Sequence, residues 1–159
     1  TQLLLGDLQQ AIKTAAVVER LQETGKPVDK PNLARAYLII ATAKIRIVEK
    51  SLFLGKLHAL STKGYIMKAT EINPDAAEVR FALGNFYLFA PGFYGGSVDL
   101  AIEEFKKTLN KDPQFMDAYV RLAQAYHKKN NLPQFHYYLD KIKKLDPNNK
   151  LAKELGYLK

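Results

Sequence analysis

Residues 111–147 read KDPQFMDAYVRLAQAYHKKNNLPQFHYYLDKIKKLDP, and the reading of this stretch decides the fold. It opens on Lys111-Asp112-Pro113 and closes on Leu145-Asp146-Pro147, so the same phrase returns after 34 residues. Proline cannot continue a helix and biases the preceding residue toward extended geometry, so each phrase ends one helix and starts the turn into the next pair. Between the prolines, Tyr119, Leu122, Ala123 and Tyr126 stand at the spacing of one helical face. A second helix follows with Phe135 and Ile142 where small side chains are usual, which predicts a looser or tilted pairing. A 34-residue period is that of a helix–turn–helix array.

The pattern extends toward the N-terminus with insertions. Pro74 stands 39 residues before Pro113, and Pro31 stands 43 before Pro74, one period plus five and nine residues. In the middle unit Leu83, Gly84 and Tyr87 form the core face of the first helix, and Ala101 and Phe105 that of the second. Gly84 falls where the two helices cross closely and a larger side chain would hold them apart. The first unit keeps Tyr37, Ile40 and Ala41 but has Lys44 in place of an aromatic residue, and offers Ile66 and Ala69 before Pro74. Its nine extra residues fall between Ala43 and Thr62, so longer helices or a longer connection must absorb them. Upstream, Leu4, Leu8, Ala11, Ala15 and Val18 make one stripe of a helix that ends near Gly25-Lys26-Pro27. Downstream, Lys150–Leu158 reads as a short capping helix with Leu151, Leu155 and Leu158 facing inward.

On these residues the chain resembles the tetratricopeptide-repeat (TPR) family over residues 32–159. The expected fold is all-α: one domain over residues 1–159, a right-handed helical solenoid of about three helix–turn–helix repeats. It divides into an N-terminal helix (1–25), a degenerate repeat (32–75), a repeat with a loop insertion (76–113), a third repeat (114–147) and a capping helix (148–159). The insertion Phe89-Ala90-Pro91-Gly92-Phe93-Tyr94-Gly95-Gly96 is similar to that of bacterial TPR proteins whose middle repeat carries P-x-x-x-G-G, among them the periplasmic T component associated with TRAP transporters. That narrower resemblance implies a hydrophobic or organic-acid-like ligand handed to a partner protein. The chain starts at Thr1 without an initiator Met, so a removed targeting segment is compatible with it, and periplasm or envelope and cytoplasm both stay open.

Composition narrows the classes. With 47% hydrophobic and 25% charged residues the 159-residue chain has an ordinary globular balance. No apolar run reaches the ~20 residues of a membrane-spanning helix. There is no cysteine, which excludes disulfides and thiolate zinc sites. The net charge of +8 is even along the chain, with 11 basic and 7 acidic side chains in residues 1–75 and 13 and 9 in residues 76–159. The densest basic run, Lys141–Lys144, reads as a solvated helix face beside Asp140 and Asp146, so no nucleic-acid partner is expected. His58, His127 and His136 lack metal-ligand spacing, Glu103 and Glu104 diverge around a helix, and no Ser-His-Asp arrangement appears. No enzyme activity, cofactor or metal is expected.

In TPR arrays the first helix of each pair lines the concave groove. The 34-residue register puts Arg35, Leu38, Ile39, Thr42 and Arg46 there in the first unit, Glu78, Phe81, Ala82, Asn85 and Phe89 in the second, and Asp117, Val120, Arg121, Gln124 and Lys128 in the third. Leu38, Ile39, Phe81 and Phe89 make the first two units more apolar than a solvated groove, so something must cover them. Either the N-terminal helix does so, or an apolar ligand or partner helix does, with Arg121, Asn85 and Gln124 binding its polar end. Both hold if the N-terminal helix forms one wall. A carboxylate clamp of the co-chaperone type is disfavoured, because Phe81 and Asp117 occupy positions where basic residues are needed. In the inserted loop, Ser97 is the expected N-cap of the next helix, and Phe93 and Tyr94 are expected to pack back onto the repeats, with a ligand gate as the alternative.

The leading functional reading is a non-catalytic binding or scaffold module that takes a protein segment or helix in its groove. The alternative is a carrier of an apolar or amphipathic small molecule. Self-association through Leu3-Leu4-Leu5 or through Tyr157 and Leu158 is a further expectation, since an uncapped solenoid end invites another copy.

Overall fold

The computed structural model describes residues 2–25, 27–50 and 52–158, with side chains over residues 9–13, 15–25, 27–44 and 61–158. The expected contributions of Leu3, Leu4, Leu5, Leu8, Arg46 and His58 lie outside the described side chains, while the first helix ends at Glu23, just before Gly25. Among the described residues every regular element is helical, as the repeat phrases demand. The chain packs as two compact units, residues 1–75 and 76–159.

The first unit holds α1 (Gln2–Glu23), α2 (Lys30–Lys50) and α3 (Leu52–Ile72). The nine extra residues go into helix length: α2 and α3 have 21 residues each, against 13 and 14 for the helices of the later pairs. α1 seats Ala15 against Ala36 and Ile40 of α2, with Ile12, Val18 and Tyr65 packed around that contact. Lys44, at the position where the repeat expects an aromatic ring, donates to Ser61 Oγ at 2.9 Å and lies 5.0 Å from the centre of the Tyr65 ring. Burial lowers its pKa. Beside it Lys68 pairs with Glu19 at 2.6 Å and faces the rings of Tyr37 and Tyr65.

The second unit holds α4 (Ala77–Phe89), a 3-10 turn (Gly92–Tyr94), α5 (Val98–Lys111), α6 (Met116–Lys128), α7 (Leu132–Leu145) and α8 (Lys150–Glu154). Its start signals are local. Ser97 accepts from Leu100 N, Asn131 from Gln134 N and Asn149 from Ala152 N, so each side chain satisfies a backbone donor that its helix leaves open. The two Asp-Pro phrases work alike: Asp112 Oδ1 accepts from Gln114 N at 2.9 Å, and Asp146 Oδ1 from Asn148 N at 3.2 Å. Side chains of this kind fold back on their own backbone and turn the chain.

The core of this unit gathers Leu88, Phe105, Val120, Leu122, Tyr126, Tyr138 and Ile142. Gly84 sits at the helix crossing, where a Cβ would stand 2.6 Å from the Phe105 ring. Glu104 is buried and holds α4 to α5 by accepting from Arg80 Nη1 at 3.2 Å, while Lys107 Nζ reaches it at 2.7 Å. The last pair is not loose where Ile142 enters it, since that side chain is fully buried. Phe135 packs on the same core from a half-buried position, with ring centres 4.8 Å from His127 and 5.4 Å from Tyr157. The capping helix is five residues long, and Leu151, Leu155 and Leu158 pack on the core as the sequence predicts.

Candidate functional site

The surface that α4 and α6 share within the second unit is best built from its ends. Phe89 is the last residue of α4, four residues after Asn85, so both lie on one helical face. Across from it Arg121 of α6 lays its guanidinium over the Phe89 ring, 4.8 Å from the centroid, and donates from Nη1 to Gln124 Oε1 at 2.8 Å. Such a cation–ring contact holds the planar guanidinium against the ring face. One turn on, Lys128 Nζ donates to the carbonyl of Leu88 at 3.0 Å, an acceptor left open at the C-terminal end of α4. An ammonium has three donors, so this bond leaves two.

These contacts border an open-sided cavity of about 260 Å3 lined by Leu88, Phe89, Gln124, His127, Lys128 and Tyr157. The structure thus brings together Phe89, Gln124 and Lys128 with Arg121 beside them. Phe81 is placed differently: its ring lies 5.7 Å from Phe105 and 4.7 Å from Phe115, tied into packing between helices. Asn85 has its Oδ1 buried with no hydrogen-bond partner among the described residues. Ala82 and Val120, expected on the lining, are buried and offer no groove surface. In the first unit, Leu38 is half-buried and Thr42 exposed, and Ile39 remains 48% exposed because α1 covers the Ala36 and Ile40 face instead.

Three lining residues were not among the expected ligand positions. Leu88 and His127 neighbour lining positions in the sequence and escape a strict register count. Tyr157 comes from the tail after α8, brought in by Phe135, and burial raises its pKa while Arg121 pulls it the other way. The inserted loop also departs from expectation. Ser97 caps α5, but Phe93 does not pack back: it is 82% exposed, touching Tyr94 at a ring separation of 4.4 Å. The loop is held by its backbone, with Gly96 N and Tyr94 N both donating to Pro91 O and Ser97 N to Tyr87 O. A Cβ on Gly96 would fall 1.7 Å from the Ala90 carbonyl oxygen, so only glycine fits. Among the described residues no cluster of His, Cys, Asp or Glu is arranged to hold a metal, and no helix is long and apolar enough to cross a membrane.

Residues 95–155 match the tetratricopeptide-repeat family. The structure superimposes with a TM-score of 0.71 on that of a thermophilic TPR protein of Thermus thermophilus, at 19% identity, covering 99% of this chain and 74% of that one. The fold is that of a TPR protein. Its pairs are α2–α3, α4–α5 and α6–α7, flanked by α1 and α8. No curated protein matches the chain. These likenesses carry the TPR fold and not the narrower resemblance to the T component. The surface on α4 and α6 belongs to the first helices of two successive TPR pairs, where the register places groove positions.

Proposed function

We propose that the chain is a non-catalytic TPR module that binds a segment of a partner protein on the first helices of its second and third pairs. The observation that carries this reading is the cavity between Phe89, Gln124, His127, Lys128 and Tyr157, which offers apolar side chains and the Lys128 ammonium on one surface. TPR proteins as a class hold protein segments in this way, and the catalytic arrangements that would favour an enzyme do not occur in the sequence. A carrier of a small molecule, as the inserted loop's resemblance implies, has less support: drug-sized ligands occupy roughly 300–1,000 Å3 and are largely enclosed, whereas this cavity is smaller and open-sided.

Selection of displayed random peptides on the purified chain tests the reading. Peptides should be enriched whose binding falls with Phe89→Ala or Tyr157→Ala and persists in Ile39→Ala. Enriched peptides indifferent to both Phe89→Ala and Tyr157→Ala would overturn it, as would a selection that enriches nothing.

A further inference from the structure

The chemistry of the cavity narrows what such a segment contains. Among the described residues its lining includes no acidic side chain. Lys128 and His127 both line it, and the Arg121 guanidinium lies over the Phe89 ring at its side. Lys128 is held by a neutral carbonyl, a bond that anchors the ammonium without cancelling its charge. Leu88, Phe89 and the Tyr157 ring form the apolar part. A volume of about 260 Å3 takes one large side chain and little more.

Resting on the function proposed above, we infer that the site reads a partner segment in which an aromatic or branched apolar residue adjoins a carboxylate. The apolar side chain enters between Phe89 and Tyr157. The carboxylate meets Lys128 and His127, beside Arg121. Acid and apolar group are both required, because ion pairs at an exposed edge contribute little by themselves and a single apolar side chain does not set orientation.

The test uses fluorescence anisotropy with capped, labelled decapeptides of glycine and serine that carry one central leucine or phenylalanine. In one set an aspartate stands one or two positions to either side, in a second set asparagine replaces it, and in a third the apolar residue is glycine. At least one aspartate peptide should bind about threefold more tightly than its asparagine counterpart and about tenfold more tightly than its glycine counterpart. Lys128→Gln should abolish the preference for aspartate, with Arg121→Gln as a second charge variant that leaves the Leu88 carbonyl bonded. Equal binding of the aspartate and asparagine sets overturns the inference. So does failure of all sets when a peptide from the unbiased selection still binds in a Phe89-dependent manner, a result that leaves the protein-binding reading standing. If no selected peptide depends on Phe89 or Tyr157, both fall together.

Discussion

The two units solve the same packing problem with different materials. In the second unit the helices of a pair have 13 or 14 residues and close around aromatic rings, with Gly84 making room for Phe105 and a buried Glu104 joining Arg80 to Lys107. In the first unit the paired helices have 21 residues each, and the described contact between α1 and α2 is made by Ala15, Ala36 and Ile40. Where the second unit has Tyr87 and Tyr126 at one repeat position, the first has Lys44, whose amine turns to Ser61 and the face of Tyr65. Small residues let α1 and α2 approach closely, while Tyr37 of α2 meets Tyr65 of α3 at a ring separation of 6.0 Å. Repeat geometry therefore constrains where helices meet more tightly than it constrains what fills the contact.

The comparison breaks most directly at Phe105. Phe105→Ala should cost about 3–5 kcal/mol in chemical denaturation, because it empties the centre of the second unit; a loss under about 1 kcal/mol would mean that the ring does not organise that core. Gly84→Ala should cost about 1–3 kcal/mol by overpacking, and much less when combined with Phe105→Leu, since the clash is with that ring. Additive costs in the double variant would refute the contact. In the first unit Lys44→Met should be neutral or stabilising by up to about 1 kcal/mol in thermal melts, since it removes a partly desolvated cation and keeps its length. A clear loss of stability would show that the Lys44–Ser61 bond contributes more than the desolvation costs.

The smallest effects lie in alkaline solution, and their signs separate the units. Burial, and then neighbouring Tyr126, pushes Tyr138 in the second unit from 10.0 up to about 12. The folded form then holds its proton more tightly than the unfolded form, so its contribution is complete below pH 10 and declines as pH rises through about 12. Lys44 is lowered from 10.5 by burial, so the unfolded form binds the proton more tightly and stability from this group grows as pH approaches 10.5. Stability profiles of Tyr138→Phe and Lys44→Met against the parent chain should therefore diverge in opposite directions above neutral pH. Parallel profiles would remove the distinction.

Much of the second unit was legible because its signals are local. The prolines at 74, 113 and 147, the cap at Ser97 and the glycine at position 84 each act on neighbouring backbone or on a crossing that the 34-residue period repeats. The candidate site was legible only in part. Counting the register selects Phe89, Arg121, Gln124 and Lys128, but it also selects Ala82 and Val120, which the structure buries, and Phe81, which it commits to Phe105 and Phe115. A register gives the face of a helix and not how far the neighbouring helix covers that face.

Sequence by itself thus determined the helical repeats, their turns and the family to which residues 95–155 are matched, because hydrophobic period, proline and capping side chains act within a few residues of where they stand. Tertiary structure alone decided that the insertion near α2 becomes helix, that Phe93 projects while Phe135 turns to Tyr157, and that the tail supplies a wall of the cavity. Those outcomes depend on which side chains compete for the same space across tens of residues, and that competition has no local signature.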